Sequence, residues 1–326
     1  ETKAKLIYIS SVHAIPEKEN NDLIEEITDF NPDEVHGLYA KTKAEAAKYV
    51  MNAVKNKNLN ACIIHPSGII GPYDYGNSHL TELVREVSNG KLFATVKGGY
   101  DFVDVRDVAA AIITASKKDN KGECYILSNR YITIKELSDL ICDVQGIKKI
   151  KIVLPICLAK IIAPFFEAYY NLKKQTPLFT KYSLYTLSSN SNFSNKKAKE
   201  ELGYKNRDMK DTIKDTINIL ISENNLKNDL IAKLKNYSLS SINYINDSQM
   251  TLSFNEYILP LKLERILKNK NLNVSYPGNN TYEIAYKSKC KIKAESIILS
   301  KGGGYIAGDN CLIKKTSTKL YAALSD

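Results

Sequence analysis

The sequence has six cysteines but no Cys-x-x-Cys pair, and no histidine stands at metal-ligand spacing from any of them. That excludes the spacing patterns of a zinc site and of a disulfide framework. Cys62, Cys124, Cys142 and Cys157 sit in apolar stretches, as buried free thiols do, which suits a reducing, cytoplasmic compartment. No basic segment followed by an apolar core opens the chain, so no signal peptide is expected. No uninterrupted apolar run reaches the ~20 residues of a membrane span. The longest apolar segment, Leu154 to Tyr170, is interrupted by Lys160, Pro164 and Glu167 and reads as a packed amphipathic helix. No clear internal repeat is present.

What is there is the balance of a soluble globular protein, 44% hydrophobic and 25% charged, in 326 residues. That length accommodates two domains. The net charge is +10, but basic residues are scattered among acidic ones, which describes a solvated surface. No nucleic-acid partner is expected.

Lys5 to Ser11 is an apolar run rich in Ile and Tyr and reads as a buried strand. A helix is expected over residues 35–54, and a second buried strand over Ala61 to His65. Pro66 to Asn77 holds three glycines and two prolines and reads as a loop. A helix from Leu80 to Ser88 and a brief extended piece from Phe102 to Val105 follow. Asp107 is placed to cap the next helix. Cys124 to Ser128 reads as a strand, and Thr133 caps a helix to about Val144. Lys196 to Leu202 is a helix stopped by Gly203, and Met209 to Ser222 a last helix. Alternating strands and helices argue for an α/β fold with a mostly parallel sheet. From about Asn225 the pattern changes to short β-like runs, so residues 225–326 are expected to form a separate α+β module.

Tyr39 and Lys43 lie four apart on the first helix, which puts both side chains on one face. A phenol with a pKa of ~10 is a poor base at neutral pH, and a nearby ammonium favours the phenolate. The spacing alone also describes an ordinary surface pair. Ser10 and Ser11 end the first strand, and in a parallel sheet such ends face the ligand crevice. A hydroxyl there can hold a substrate oxygen beside Tyr39; otherwise it only caps the strand.

SSVHAI, YAKTK, HPSGIIGP, YDFVDVRDVA and KAKEELGY follow one another in that order. Together, over roughly residues 1–222, they resemble the extended short-chain dehydrogenase/reductase, or NAD-dependent epimerase/dehydratase, family. Within it the sequence is most similar to the branch of dihydroflavonol reductases and 3-beta-hydroxysteroid dehydrogenases. The resemblance implies a Rossmann-type doubly wound parallel sheet, a small substrate lobe built partly from residues 154–195, and NAD or NADP as cofactor. It makes Tyr39 the catalytic acid/base. It makes Lys43 the residue that lowers the Tyr39 pKa and binds the nicotinamide ribose, and Ser11 the residue that orients the substrate oxygen, with Ser10 as the fallback. Pro66 matches the proline after the family's sixth strand, which sets Ser67 to Ile69 near the nicotinamide carboxamide.

Two departures qualify these expectations. Tyr100 stands where nucleotide-sugar members place an arginine, which weakens a diphosphate substrate. No Gly-x-x-Gly-x-x-Gly stands before Lys5, so the sheet is expected to lack its N-terminal strands, roughly a hundred residues. The expected function is an NAD(P)-dependent oxidoreductase acting on a carbonyl or secondary alcohol of a small-molecule substrate. The alternatives are a nucleotide-sugar epimerase or dehydratase and a non-catalytic interaction protein. His13 and His79 flank crevice loops and read as solvated. A homodimer contact through the C-terminal module stays open.

Overall fold

The computed structural model describes residues 4–74, 78–163, 181–234, 239–246, 249–255, 263, 267, 272–278, 281–286, 311–314 and 321–324. The chain divides into two compact units. The first comprises Glu1–Gly71, His79–Lys214 and Lys293–Asp326, the second Pro72–Ser78 and Asp215–Ile292.

The first unit is built on β1 (Leu6–Ile9), β2 (Ala61–Pro66), β3 (Gly68–Ile70), β4 (Ala94–Val96), β5 (Gly99–Asp104), β6 (Cys124–Leu127), β7 (Arg130–Thr133) and β8 (Ile152–Leu154). Its helices are α1 (Leu38–Lys57), α2 (His79–Ser88), α3 (Val105–Ala115), α4 (Ile134–Gln145), α5 (Lys181–Thr186), α6 (Lys196–Leu202) and the start of α7 (Met209–Leu234). β1, β2 and β6 pair in parallel, with Ile9 opposite Ile64 and Ile64 opposite Tyr125. Every residue of β2 and β6 is buried, as two-sided coverage of a parallel sheet requires. One face carries Ile7, Ile9, Cys62, Ile64, Tyr125 and Leu127 against residues of α3 and α6. α1 packs against β2. On the far side of β1, β14 (Tyr321–Leu324) pairs in parallel and β13 (Cys311–Lys314) pairs antiparallel with β14.

The helix ends follow local chemistry. The Thr133 hydroxyl accepts from the Glu136 N–H at the start of α4, and Gly146 closes it with a φ of 67°. Gly203 closes α6 in the same left-handed conformation.

Four expectations need correction. Pro66 to Asn77 is not all loop, because β3 pairs in parallel with β5, Gly68 opposite Phe102. A β-carbon on Gly68 would lie 2.6 Å from the Phe102 ring, so only glycine permits that approach. The cap of α3 is Asp104, which accepts from the Arg106 N–H, whereas Asp107 accepts from the Arg207 backbone N–H at 2.8 Å. Leu154 ends a strand, and the helix after it covers residues 156–163, with 164–180 outside the described residues. Cys157 is exposed, while Cys62, Cys124 and Cys142 are buried.

The second unit carries an antiparallel sheet in the order β11-β12-β10-β9, with β9 (Leu239–Asn246), β10 (Gln249–Phe254), β11 (Leu272–Gly278) and β12 (Thr281–Tyr286). Leu263 and Leu267 are helical and buried. No helix among the described residues is long and apolar enough to cross a membrane.

Candidate active site

Parallel pairing of β1 and β2 brings their carboxyl ends side by side, so Ser10–Ser11 and Pro66–Ser67 leave the sheet at one edge. His65, fully buried at the end of β2, ties the two ends together. Its Nδ1 lies 2.9 Å from the Ser11 carbonyl oxygen. A carbonyl only accepts, so Nδ1 carries the proton. The ring stacks on Phe30 with centroids 5.4 Å apart, and burial pushes the imidazole down to about 4.

Ser11 caps a 3-10 turn, Val12–Ala14, by accepting from the His13 N–H at 3.3 Å. This turn packs against α1 and presents His13 to the helix. The His13 and Tyr39 rings meet edge-on with centroids 5.8 Å apart. Lys43, one turn further along α1, is buried and holds its ammonium 5.5 Å from the centre of the Tyr39 ring. Tyr182 of α5 completes the group, its ring 6.4 Å from that of Tyr39. Gly37 makes room for Tyr182. It precedes α1 with a φ of 89°, and a β-carbon there would sit 2.7 Å from the Tyr182 ring.

Ser11, Tyr39 and Lys43 are therefore gathered around one turn. Of the residues expected near a nicotinamide, Pro66 ends β2, and the buried Ser67 hydroxyl donates to Asp101 Oδ1 at 2.6 Å. Asp101 also accepts from the Asn129 N–H at 2.9 Å, and its burial raises the carboxyl to about 6. Ile69 lies in β3, partly buried against the core. Ser10 is buried at the same edge.

His13 is not the solvated loop residue expected. It stacks on Tyr100 with ring centroids 5.6 Å apart, its Nε2 lies 3.2 Å from the Tyr100 hydroxyl, and desolvation lowers the imidazole to about 4. Tyr100 is the residue standing in place of the arginine, and that departure was the one sequence signal of a change here. His79 opens α2 and is exposed.

Over residues 1–128 the sequence matches the NAD dependent epimerase/dehydratase family. Sterol demethylase protein B of Methylococcus capsulatus is 28% identical over 170 residues, 51% of this chain and 51% of that protein. The 3beta-hydroxysteroid-dehydrogenase/decarboxylase isoform 1 of Arabidopsis thaliana is 28% identical over 217 residues, 61% of this chain and 49% of that protein. The crystal structure of gox2253 superposes with a TM-score of 0.57 at 29% identity, covering 67% of this chain and 66% of that one. The chain spans about half the length of the first two relatives.

Proposed function

We propose that the protein is an NAD(P)-dependent oxidoreductase that interconverts a carbonyl and a secondary alcohol. The observation carrying this reading is the stacking of the buried Lys43 ammonium 5.5 Å from the Tyr39 ring, beside the turn capped by Ser11. An ammonium held there favours the phenolate and brings a phenol toward useful proton transfer at neutral pH. In this reading Tyr39 moves a proton to or from the substrate oxygen. Lys43 tunes Tyr39 and binds the nicotinamide ribose, and the Ser11 hydroxyl orients the oxygen. Pro66, Ser67 and Ile69 border the nicotinamide. A bound NAD or NADP supplies the hydride acceptor or donor.

The family also contains epimerases and dehydratases, which use the same cofactor transiently. The buried Tyr100 in place of an arginine supports the oxidoreductase over a sugar-diphosphate substrate, because a diphosphate needs guanidinium or comparable contacts. The relatives named for hydroxysteroid and sterol chemistry support a carbonyl or alcohol substrate.

Fluorescence titration of the full chain with NADH and with NADPH, followed by turnover assays on ketones, tests this. Tyr39→Phe is expected to bind cofactor within about threefold of the parent and to lose on the order of 10²–10⁴ in kcat. Near-normal turnover by Tyr39→Phe would sink the reading.

A further inference from the structure

From Val87 to Tyr100, and again from Val144 to Ala163, the chain has no Asp or Glu, but it has Lys91, Lys97, Lys148, Lys149, Lys151 and Lys160. Pairing of β4 with β8, Ala94 opposite Ile152, lays the two segments side by side. The Lys97 N–H donates to the Leu154 carbonyl oxygen at 2.8 Å and joins them again where the strands end. Glu86 and Asp143, just outside the segments, pair with Lys91 and Lys149. Lys97, Lys148, Lys151 and Lys160 have no ion pair among the described residues.

The large apolar side chains among these lysines face solvent. Phe93 is 71% exposed, Ile152 53% and Ile161 66%, and Val153 and Leu158 are exposed as well. Among the described residues β8 is paired by β4 alone, and its consecutive residues Ile152 and Val153, which point to opposite faces, both reach water. The helix over residues 156–163 is turned the wrong way for one that serves the core. It buries Ala159 and Ala163, four apart, and exposes Leu158 and Ile161, three apart. A single exposed Leu or Ile needs no explanation, whereas a group of them on adjoining elements marks an interaction surface.

Charge decides the occupant. A second copy of this chain, meeting the first about a two-fold axis, would set the same unpaired lysines against each other. An anionic bilayer supplies both complements at once, acyl chains for the apolar side chains and negative headgroups for the ammonium groups. Lys160 shares the helix with Leu158 and Ile161, and its stem lets the ammonium stay among headgroups while its neighbours go beneath them. We infer that the β8 edge and the helix at 156–163 form a surface that docks on membranes containing anionic lipid, with Phe93, Ile152, Leu158 and Ile161 entering the interface. The contact lies on the bilayer and does not cross it. None of the residues assigned to the oxidoreductase chemistry belongs to this surface, so the two readings fail separately.

The chain has no tryptophan, so Phe93→Trp places a single fluorescent reporter in the patch. The full chain carrying it is titrated with vesicles of phosphatidylcholine alone and with vesicles holding about 30% phosphatidylserine. Emission is expected to shift to the blue on the anionic vesicles, with an affinity at least about tenfold above that for phosphatidylcholine. Lys148→Glu combined with Lys151→Glu should weaken this binding at least about tenfold, each lysine near an anionic surface being worth about fivefold. Ile161→Glu, on a side chain outside the core, should weaken it by at least about tenfold too. Tyr49→Glu, an equally exposed position on α1, should stay within about twofold of the parent. Absence of a blue shift, equal affinity for the two vesicles, or an equal loss in Tyr49→Glu overturns the inference. Sedimentation velocity without lipid adds the remaining outcome. An association state that Ile161→Glu leaves unchanged supports the membrane, while a dimer that Ile161→Glu splits into monomers assigns the patch to a second copy and overturns it.

Discussion

In the first unit the parallel strands are buried on both faces, and β2 has no exposed residue from Ala61 to Pro66. In the second unit the antiparallel β10 alternates: Met250, Leu252 and Phe254 are buried, while Thr251 and Ser253 between them are partly exposed. A strand covered on both sides takes a polar side chain only where a partner is supplied, as the Ser67 O–H and the Asn129 N–H are for Asp101 within β5. Polar groups of β1 and β2 collect where those strands end, at Ser10, Ser11, His65 and Ser67. A one-sided sheet can carry them anywhere along its open face, so no end of it is privileged. The difference teaches where to look for chemistry: the two-sided sheet concentrates it at one edge.

The comparison breaks most visibly under the same substitution in both sheets. Ile64→Asp places a carboxylate between two apolar layers and should cost more than about 4 kcal/mol, enough to unfold the first unit. Ser253→Asp puts the same group on the partly exposed face of β10, within reach of the Thr281 hydroxyl, and should cost less than about 1 kcal/mol. Amide hydrogen exchange read separately over β2 and β10 checks both. Comparable loss of protection in the two variants would mean that β10 is covered on both faces as well.

The same contrast explains what was legible in the sequence. Elements fixed by neighbours along the chain were readable: Thr133 caps α4, Gly203 ends α6, and the runs at 61–65 and 124–128 read as buried strands. β3 was not readable, because three residues between Pro66 and Gly71 become a strand only by pairing with β5, 34 residues further on. Asp104 and Asp107 both precede an apolar run, and sequence alone does not say which one turns back to cap it. The candidate site divides in the same way. Tyr39 and Lys43 could be paired because one helix carries both. The placement of His13 could not, since Tyr100, its partner, lies 87 positions away and Tyr182 on another element again.

Buried titratable groups sharpen the contrast further. Among the described residues of the second unit none of the buried side chains is charged or a histidine. The first unit buries His65, held near 4, well below the ordinary histidine value of 6.5. A histidine so lowered adds stability that is present above pH 6.5 and lost as pH falls from 6.5 toward 4, because the unfolded chain then binds the extra proton. The shift corresponds to about 3 kcal/mol. His65→Asn keeps a donor for the Ser11 carbonyl without a titrating ring. Urea denaturation between pH 4 and 7 should show the first unit losing about 3 kcal/mol less of its stability on acidification in that variant. An unchanged slope would mean that His65 is charged in the folded protein.

Asp101 acts in the opposite sense and with a smaller expected effect. Its carboxyl is raised from 3.8 to about 6, so the folded protein holds the proton that the unfolded chain has released. The stability it contributes is present below pH 3.8 and disappears as pH rises through 6, leaving an unfavourable buried carboxylate at neutral pH. Asp101→Asn retains a side-chain carbonyl for the Ser67 O–H and the Asn129 N–H, both of which donate to Oδ1. It removes the charge and adds two amide hydrogens that must find acceptors, so the gain should stop short of the full titration energy. The variant is expected to be more stable than the parent by about 1–2 kcal/mol at pH 7.5, and to lose stability more steeply between pH 6 and 4. Denaturant midpoints at those pH values decide it. If Asp101→Asn instead destabilises at pH 7.5, the carboxylate is charged in the folded protein and is held by its two donors and the nearby Arg130.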